Sequence, residues 1–136
     1  MGARASMSTS ESPAIGVIDI GSNSTNLLIS RHGHTLVREQ KITRLGAGVI
    51  RTKILSTESM DNTLQQLRHY SSVLTEHGVT NIHVVATAAV RHASNGSAFL
   101  QEVAAIVGVV PRLISGEEEG RLSFIGAQQQ LSLPSN

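Results

Sequence analysis

The fold is decided by the stretch AIGVIDIGSNSTNLLIS, which covers residues 14–30. Two short runs rich in Ile, Val and Leu, at 14–20 and 25–30, lie on either side of a Gly-Ser-Asn-Ser break. Such runs around a turn-forming break predict a β-hairpin. Gly33 suggests a further turn, and a third strand is expected at 35–45. The chain should therefore open with an antiparallel meander of three strands.

Helices and strands alternate after this meander, as judged from the apolar spacing and from residues that cap helices. The predicted elements are a helix that begins at Ser56 and stops at Gly78, a strand at 82–86, a helix at 95–107 capped by Asn95, a strand at 109–114, and a last helix that opens at Ser115. A meander followed by this alternation predicts an α/β domain, in which a mixed sheet of antiparallel and parallel strands carries the helices.

The composition bounds the possible functions. The chain has 136 residues, of which 40% are hydrophobic and 15% are charged, so one ordered domain is expected. It lacks cysteine, which removes disulfides and thiolate metal sites. Only 2% of the residues are aromatic and the net charge is +1, which argues against nucleic acid and membrane surfaces as partners. These features predict a small, soluble, cytoplasmic protein.

The first candidate site starts at Asp19 and continues through the turn Gly21, Ser22, Asn23 and Ser24. An Asp inside an apolar strand is costly unless hydrogen bonds or a cation compensate for its lost hydration. Such a turn can direct successive backbone N–H groups and hydroxyls at one point, which suits phosphate oxygens. The alternative is an ordinary hairpin in which Asp19 makes an Asx-turn, and the turn by itself favours that alternative.

The second candidate site is Thr87-Ala-Ala-Val-Arg91, directly after the strand predicted at 82–86. Ligands of α/β sheets collect beyond the carboxyl ends of strands. The forked guanidinium of Arg91 is well suited to phosphate. A surface Arg on a loop is an equally good interpretation of these residues.

The third candidate site is SGEEEGR at 115–121. Acidic residues favour the first turn of a helix because of its dipole alone, and Glu118 fits a capping box. Glu119 differs, since helical spacing places it on a small polar strip with Ser123 and Gly126. A carboxylate on that strip would look along the edge of a cleft, so Glu119 is the best candidate for a general base.

Basic residues are concentrated between positions 31 and 53, where only Glu39 opposes them. They are six of the 11 Lys and Arg residues of the chain: Arg31, Arg38, Lys41, Arg44, Arg51 and Lys53. The stretch could guide a polyanion, although the solvated outer face of a hairpin is the interpretation that the residues favour. The six His residues show no metal-ligand spacing.

Together the three candidate strings resemble the exopolyphosphatase/guanosine pentaphosphate phosphatase family, within the actin-like and sugar-kinase-like ATPase superfamily. The resembling pieces are IDIGSNS at 18–24, TAAVRHASN at 87–95 and ISGEEEGR at 114–121, in the order of the family. Each piece is weak alone, and three in register are specific. The sequence departs from the pattern at Gly120, where Ala is usual, and at Glu117, where the family varies.

The resemblance implies a ribonuclease-H-like domain that uses Mg²⁺ to hydrolyse a terminal phosphoanhydride bond. The implied substrate is inorganic polyphosphate or guanosine pentaphosphate. By position, Glu119 is similar to the general base of the family, and Arg91 and the turn at 21–24 are similar to its phosphate grip. Asp19 corresponds to a residue that helps to hold the metal, and Glu119 is a second metal ligand on the same basis.

The same resemblance implies a domain organisation. Residues 1–13 are expected to form a flexible tail, 14–131 the N-terminal lobe of a two-lobed phosphatase, and 132–136 the start of a linker. The family's second phosphate loop, of the Asp-x-Gly-Gly-Gly-Ser kind, does not occur in the sequence. The chain alone is therefore expected to be inactive. A homodimer is expected for the full-length protein, although the sequence itself fixes no oligomeric state.

Two other functions compete with the enzyme. One is a non-catalytic module that senses polyphosphate or a guanosine tetra- or pentaphosphate, and the other is an actin-like kinase or chaperone ATPase. A sensor has no need of a base such as Glu119. An ATPase shares the Asp19–Gly21 loop and gives no reason for the strings at 87–95 and 115–121. We therefore expect the enzyme first, the sensor second and the ATPase last.

Overall fold

A single five-stranded sheet organises the part of the chain that the computed structural model describes, residues 13–114. The elements follow one another as β1 (Ile15–Ile20), β2 (Ser24–Arg31), β3 (His34–Ile42), α1 (Val49–Thr52), α2 (Thr57–Glu76), β4 (Asn81–Ala86), α3 (Ala88–His92), α4 (Gly96–Val107) and β5 (Arg112–Leu113). None of these helices combines the length and the apolar character that a membrane span needs. The last predicted helix, with Glu119, and nearly all of the predicted tail lie outside the described residues.

The strands are arranged in the order β3-β2-β1-β4-β5. β2 is antiparallel to its neighbours β1 and β3, whereas β1, β4 and β5 run parallel to one another. The opening meander thus forms one half of a mixed sheet, and the two later strands extend it through helical crossovers. This is the order of a ribonuclease-H-like domain, so the predicted fold class is confirmed.

The helices α2 and α4 build the core on one face of the sheet. In β1 the buried residues alternate, and Ile18 and Ile20 are completely covered. The apolar residues that recur at helical spacing along α2 are buried, namely Leu64, Leu67, Tyr70 and Leu74, and Met60 at the start of the series is half-exposed. Gly16 allows the close approach of α2, since a Cβ there would lie 2.5 Å from Cδ2 of Leu74. Apolar burial on this face is the main force that holds the helices to the sheet.

The predicted ends of α2 are confirmed. The hydroxyl oxygen of Ser56 accepts a hydrogen bond of 3.0 Å from the backbone N–H of Ser59, as an N-cap should. The helix ends just before Gly78, which has a positive φ of 66°. Asn95 occupies the N-cap position of α4, but its side chain makes no capping bond there. The prediction that Asn95 caps the helix is therefore wrong for the side chain.

Two predicted strands are shorter than expected. β3 ends at Ile42 instead of residue 45, because Thr43 and Arg44 turn their N–H groups to the carbonyl of Asn23. β5 covers only two residues of the strand expected at 109–114. Pro111 precedes it and has no N–H for a strand ladder, which explains the late start.

Two short helices were not predicted. α1 has four residues and α3 has five, too few for apolar periodicity to reveal them. The consequence for the site is that Arg91 lies in the last turn of α3 and not on a loop.

Candidate functional site

Three chain segments come together at the carboxyl ends of the parallel strands. Ile20 at the end of β1 is in register with Ala86 of β4, which is in register with Leu113 of β5. The backbone N–H of Thr87 donates to the carbonyl of Ile20 at 3.1 Å, and that of Ile114 donates to Ala86 at 2.9 Å. The three strings singled out in the sequence therefore start side by side at one edge of the sheet, where α/β domains bind ligands.

The turn after β1 is held by its carbonyl groups. The carbonyl of Asn23 accepts hydrogen bonds from the N–H groups of Thr43 and Arg44, at 3.0 and 2.9 Å. The carbonyl of Ser22 accepts one from Gly46 at 2.9 Å. Among residues 13–114, no backbone carbonyl accepts a hydrogen bond from the N–H groups of Ser22 and Asn23. A turn fixed in this way leaves two adjacent donors for an anion.

The other predicted members of the turn are placed differently. The N–H of Gly21 donates to the carbonyl of Ser24 at 2.9 Å and so closes the hairpin. This donor is consumed by the fold and is not available to a phosphate. The side chains of Ser22 and Ser24 are half-buried, and that of Asn23 is exposed. Their hydroxyl and amide groups stand at the edge of the sheet.

A buried polar network supports the turn from below. The hydroxyl of Tyr70 on α2 donates to the carbonyl of Thr25 at 2.7 Å, and the hydroxyls of Thr25 and Thr43 lie 2.8 Å apart. Burial raises the pKa of Tyr70, a hydrogen bond with Gln66 lowers it, and the charge of Glu39 raises it, with a net increase. The network ties α2 to the first residue after the turn and to the segment that holds its carbonyls.

Asp19 lies half-buried on β1, directly opposite Asn26 on β2. One carboxylate oxygen of Asp19, Oδ1, and the amide oxygen of Asn26 are both buried, and neither receives a hydrogen bond within residues 13–114. Asp19 has another interaction, so the missing hydrogen bond concerns Oδ1 alone and not the whole residue. Two hard oxygen atoms on directly paired residues fit a cation such as Mg²⁺.

The described residues do not complete a metal site by themselves. Within residues 13–114, no three His, Cys, Asp or Glu side chains are grouped as ligands for one ion. Mg²⁺ is commonly held by one or two carboxylates, with water and substrate phosphates as further ligands. Asp19 fits that pattern, while Glu119, the other predicted ligand and the predicted base, lies outside the described residues.

Arg91 is exposed on α3, and a tight corner fixes that helix. The N–H of Ala93 donates to the carbonyl of Val90 at 3.2 Å, and Gly96 then begins α4. A Cβ at Gly96 would collide with the carbonyl oxygen of Val90. The close contact between α3 and the start of α4 therefore requires glycine at position 96. This contact holds α3, which carries Arg91, in place beside the end of β4.

Residues 43–55, which we call the bridging segment, connect the turn to this corner. Its first residues hold the carbonyl of Asn23, and at its far end the N–H of Ser94 donates to the carbonyl of Lys53 at 2.8 Å. Asn95 then makes two bonds to the backbone of Leu55: its Oδ1 accepts from the N–H at 2.9 Å, and its Nδ2 donates to the carbonyl at 3.0 Å. The segment thus braces the first two candidate strings against each other.

The bridging segment divides the basic stretch into two groups. Arg44, Arg51 and Lys53 are exposed on the segment beside the candidate site. The other three, Arg31, Arg38 and Lys41, belong to β2 and β3. Arg44 and Lys53 also have positive φ angles of 55° and 62°, which is unusual for side chains other than Gly, Asn and Asp.

A comparison with known proteins identifies the family of this chain. The model of the Ppx/GppA phosphatase family matches residues 29–136. The chain belongs to this family. The match includes the strings at 87–95 and 114–121, while the turn at 18–24 precedes it. The resemblance inferred from the sequence is therefore confirmed at the level of the family.

Solved Ppx/GppA structures share the fold. The Ppx/GppA phosphatase of Aquifex aeolicus is 35% identical, with a TM-score of 0.74, over 81% of this chain and 38% of that one. An exopolyphosphatase from Cytophaga hutchinsonii is 36% identical, with a TM-score of 0.77, over 85% of this chain and 38% of that one. The chain thus spans about two fifths of the length of these relatives.

Sequence reasoning missed three parts of this candidate site: the bridging segment, the pair of bonds from Asn95 to Leu55, and Asn26. The two bonds join residues 40 positions apart, which no local pattern reveals. Asn26 could have been noticed in the sequence, because an amide within an apolar strand is as unexpected as the carboxylate of Asp19.

Proposed function

We propose that this domain takes part in hydrolysis of the terminal phosphoanhydride bond of inorganic polyphosphate or guanosine pentaphosphate. The observation that carries the proposal is that β1, β4 and β5, from which the three strings continue, end side by side at one edge of the sheet. There, among residues 13–114, no backbone carbonyl accepts from the N–H groups of Ser22 and Asn23. Membership of the Ppx/GppA family supports a phosphatase reaction over kinase or chaperone chemistry.

Each group has a role in this proposal. The N–H groups of the turn and the hydroxyls of Ser22 and Ser24 bind oxygens of the terminal phosphate. Arg91 neutralises the charge on the transferred group, and Glu119 accepts a proton from the attacking water. Asp19 and Glu119 would hold Mg²⁺, which when bound neutralises charge on the phosphate oxygens.

We further propose that catalysis needs residues beyond this chain. In-line displacement at phosphorus requires that the attacking and leaving oxygens be fixed on opposite sides of the phosphoryl group. The candidate site described here lies at one edge of one sheet. The 136-residue chain should therefore bind phosphate compounds without turnover, and a longer protein that contains it should hydrolyse them.

The proposal is tested by measuring phosphate release from polyphosphate and from guanosine pentaphosphate. Both the 136-residue chain and the longer protein are assayed. In the longer protein, Glu119→Gln should lower turnover by roughly 10²- to 10⁴-fold with little change in binding, because the shape is kept and the base is lost. Glu117→Gln, two positions away, is the matched control and should leave turnover near wild type. Equal turnover in both variants would contradict the role of Glu119. Binding without hydrolysis by the longer protein would favour a sensor.

A further inference from the structure

We infer that Asn26 is a cation-site residue, whose amide oxygen acts with the carboxylate of Asp19 as a ligand for Mg²⁺, directly or through one water. The inference deepens the proposed function, which it takes as its starting point. It assigns a role to a residue that neither the sequence motifs nor the family resemblance singled out.

The strand register brings the two side chains together. Asp19 and Asn26 are direct partners on antiparallel strands, so both side chains project from the same face with Cβ atoms about 4.5–5.5 Å apart. The row continues to Gln40 on β3 and to Val85 on β4. Gln40 also carries an oxygen but is exposed, so Asp19 and Asn26 are the half-buried pair of oxygen-bearing side chains in this row.

The amide oxygen of Asn26 needs an explanation. It is buried, and nothing among residues 13–114 donates a hydrogen bond to it. A buried acceptor in a native protein normally has a donor, an ordered water or an ion. The facing oxygen of Asp19 is a carboxylate oxygen and cannot donate at neutral pH. A cation between the two acceptors satisfies both at once.

Asn26 lies where the apolar part of this face meets its polar end. Leu28 and Val17 are apolar, whereas Ser24 and the direct partners Asp19 and Gln40 are polar. Asn is nevertheless disfavoured in strands, so the amide needs a reason of its own. The residue lies two positions from Ser24, next to the turn that we propose as the phosphate-binding element. A divalent cation beside a phosphate site explains why an amide stands here.

One other arrangement has to be distinguished. If the amide of Asn26 were turned round, its NH₂ group would donate to Asp19 and no cation would be needed. The two arrangements predict opposite effects of a carboxylate at position 26. A second carboxylate strengthens a cation site, whereas it repels Asp19 where the amide serves as a donor.

The test measures Mg²⁺ binding to the 136-residue chain by calorimetry, and Mn²⁺ binding by electron paramagnetic resonance, without any substrate. Asn26→Leu should weaken binding about 10-fold or more, in the range seen when groups around a metal are lost. Asn26→Asp should bind at least as tightly as wild type, and Mg²⁺ should restore the thermal stability that the metal-free variant loses. Gln40→Leu, in the same row and exposed, is the matched control and should bind like wild type.

Three outcomes would overturn the inference. These are wild-type affinity in Asn26→Leu, loss of binding in Asn26→Asp with no recovery of stability by Mg²⁺, and no saturable Mg²⁺ binding by the wild-type chain. If Asn26→Leu does not fold, the Asn26→Asp result decides alone. These readouts do not depend on turnover, so a fully active Glu119→Gln enzyme would refute the proposed base and leave the assignment of Asn26 standing.

Discussion

The two turns of the opening meander are built in opposite ways. The turn between β2 and β3 consists of His32 and Gly33, both exposed and both with positive φ, 56° and 76°. These angles are those of a two-residue hairpin turn whose geometry matches the strand twist. The turn between β1 and β2 takes its shape from remote groups on the bridging segment and from the network beneath Thr25. A turn supported from a distance can spare its own N–H groups for a ligand.

The largest effect is expected from Asn95→Ala, which removes both bonds to the backbone of Leu55. Leu55 is almost fully buried, so its N–H and carbonyl would lose their partners at a cost of about 2 kcal/mol in the free energy of unfolding. Loosening the bridging segment should also weaken binding of short polyphosphates severalfold. Urea denaturation and titration calorimetry measure the two effects.

Gly33→Ala is the matched control for that prediction. Its side chain meets open space, but the positive φ makes it strained, so we expect a cost of about 1 kcal/mol. Because the second turn supports nothing remote, phosphate affinity should stay at the wild-type level. Equal losses of affinity in the two variants would show that general destabilisation, and not the bridging segment, controls binding.

An intermediate effect concerns the support of the first turn at high pH. The raised pKa of Tyr70 means that the folded state holds the phenol proton more tightly than the unfolded state does. The free energy of unfolding should be insensitive to this group below pH 10, the ordinary pKa of Tyr, and should fall as the pH rises above it. Tyr70→Phe should cost about 1 kcal/mol near neutrality and abolish the decline.

The measurement of this pH dependence is direct, because Tyr70 is the only tyrosine and the chain has no tryptophan. Tyrosinate absorbance then reports Tyr70 alone, while circular dichroism follows unfolding. Ionisation of the folded wild type below pH 10 would contradict the burial of the hydroxyl.

The smallest effect is expected from charge reversal in the basic stretch. If the bridging segment guides a polyanion, Arg44→Glu with Arg51→Glu should weaken binding of long polyphosphate and reduce its dependence on salt. Arg38→Glu with Lys41→Glu, on β3, changes the charge equally and should have less effect. If the two double variants weakened polyphosphate binding equally, the basic residues would act only through the overall charge, and the bridging segment would have no special role.

The sequence was sufficient for features whose causes are local. Ser56 and Gly78 marked the ends of α2, and the run at 14–30 gave the first hairpin, because capping and strand periodicity act over a few residues. The family resemblance added the ribonuclease-H-like class of the domain, and the strand order comes from the structure. The site could be predicted only as separate strings, and the structure places their starting points at one edge.

The rest depended on contacts that periodicity does not encode. Asn95 stands at a helix start, where an amide side chain ordinarily caps, yet the backbone of Leu55 offers it two bonds instead of one. The register that sets Asn26 against Asp19 follows from the length of the turn between their strands. These contacts form only when the elements pack together, so the sequence of one element does not reveal them.

β3 is an edge strand of the sheet, and this position has a consequence for self-association. Nine residues long, the strand pairs with β2 on one side, and no other strand among residues 13–114 pairs with its second side. An unpaired side of this kind can accept an extended chain. Leu36 and Ile42 are exposed on this edge strand, so the β3 strands of two copies of the protein could pair edge to edge. Charged side chains between them, Arg38 and Lys41 among them, make that pairing repulsive and would keep the protein from forming intermolecular sheets at high concentration.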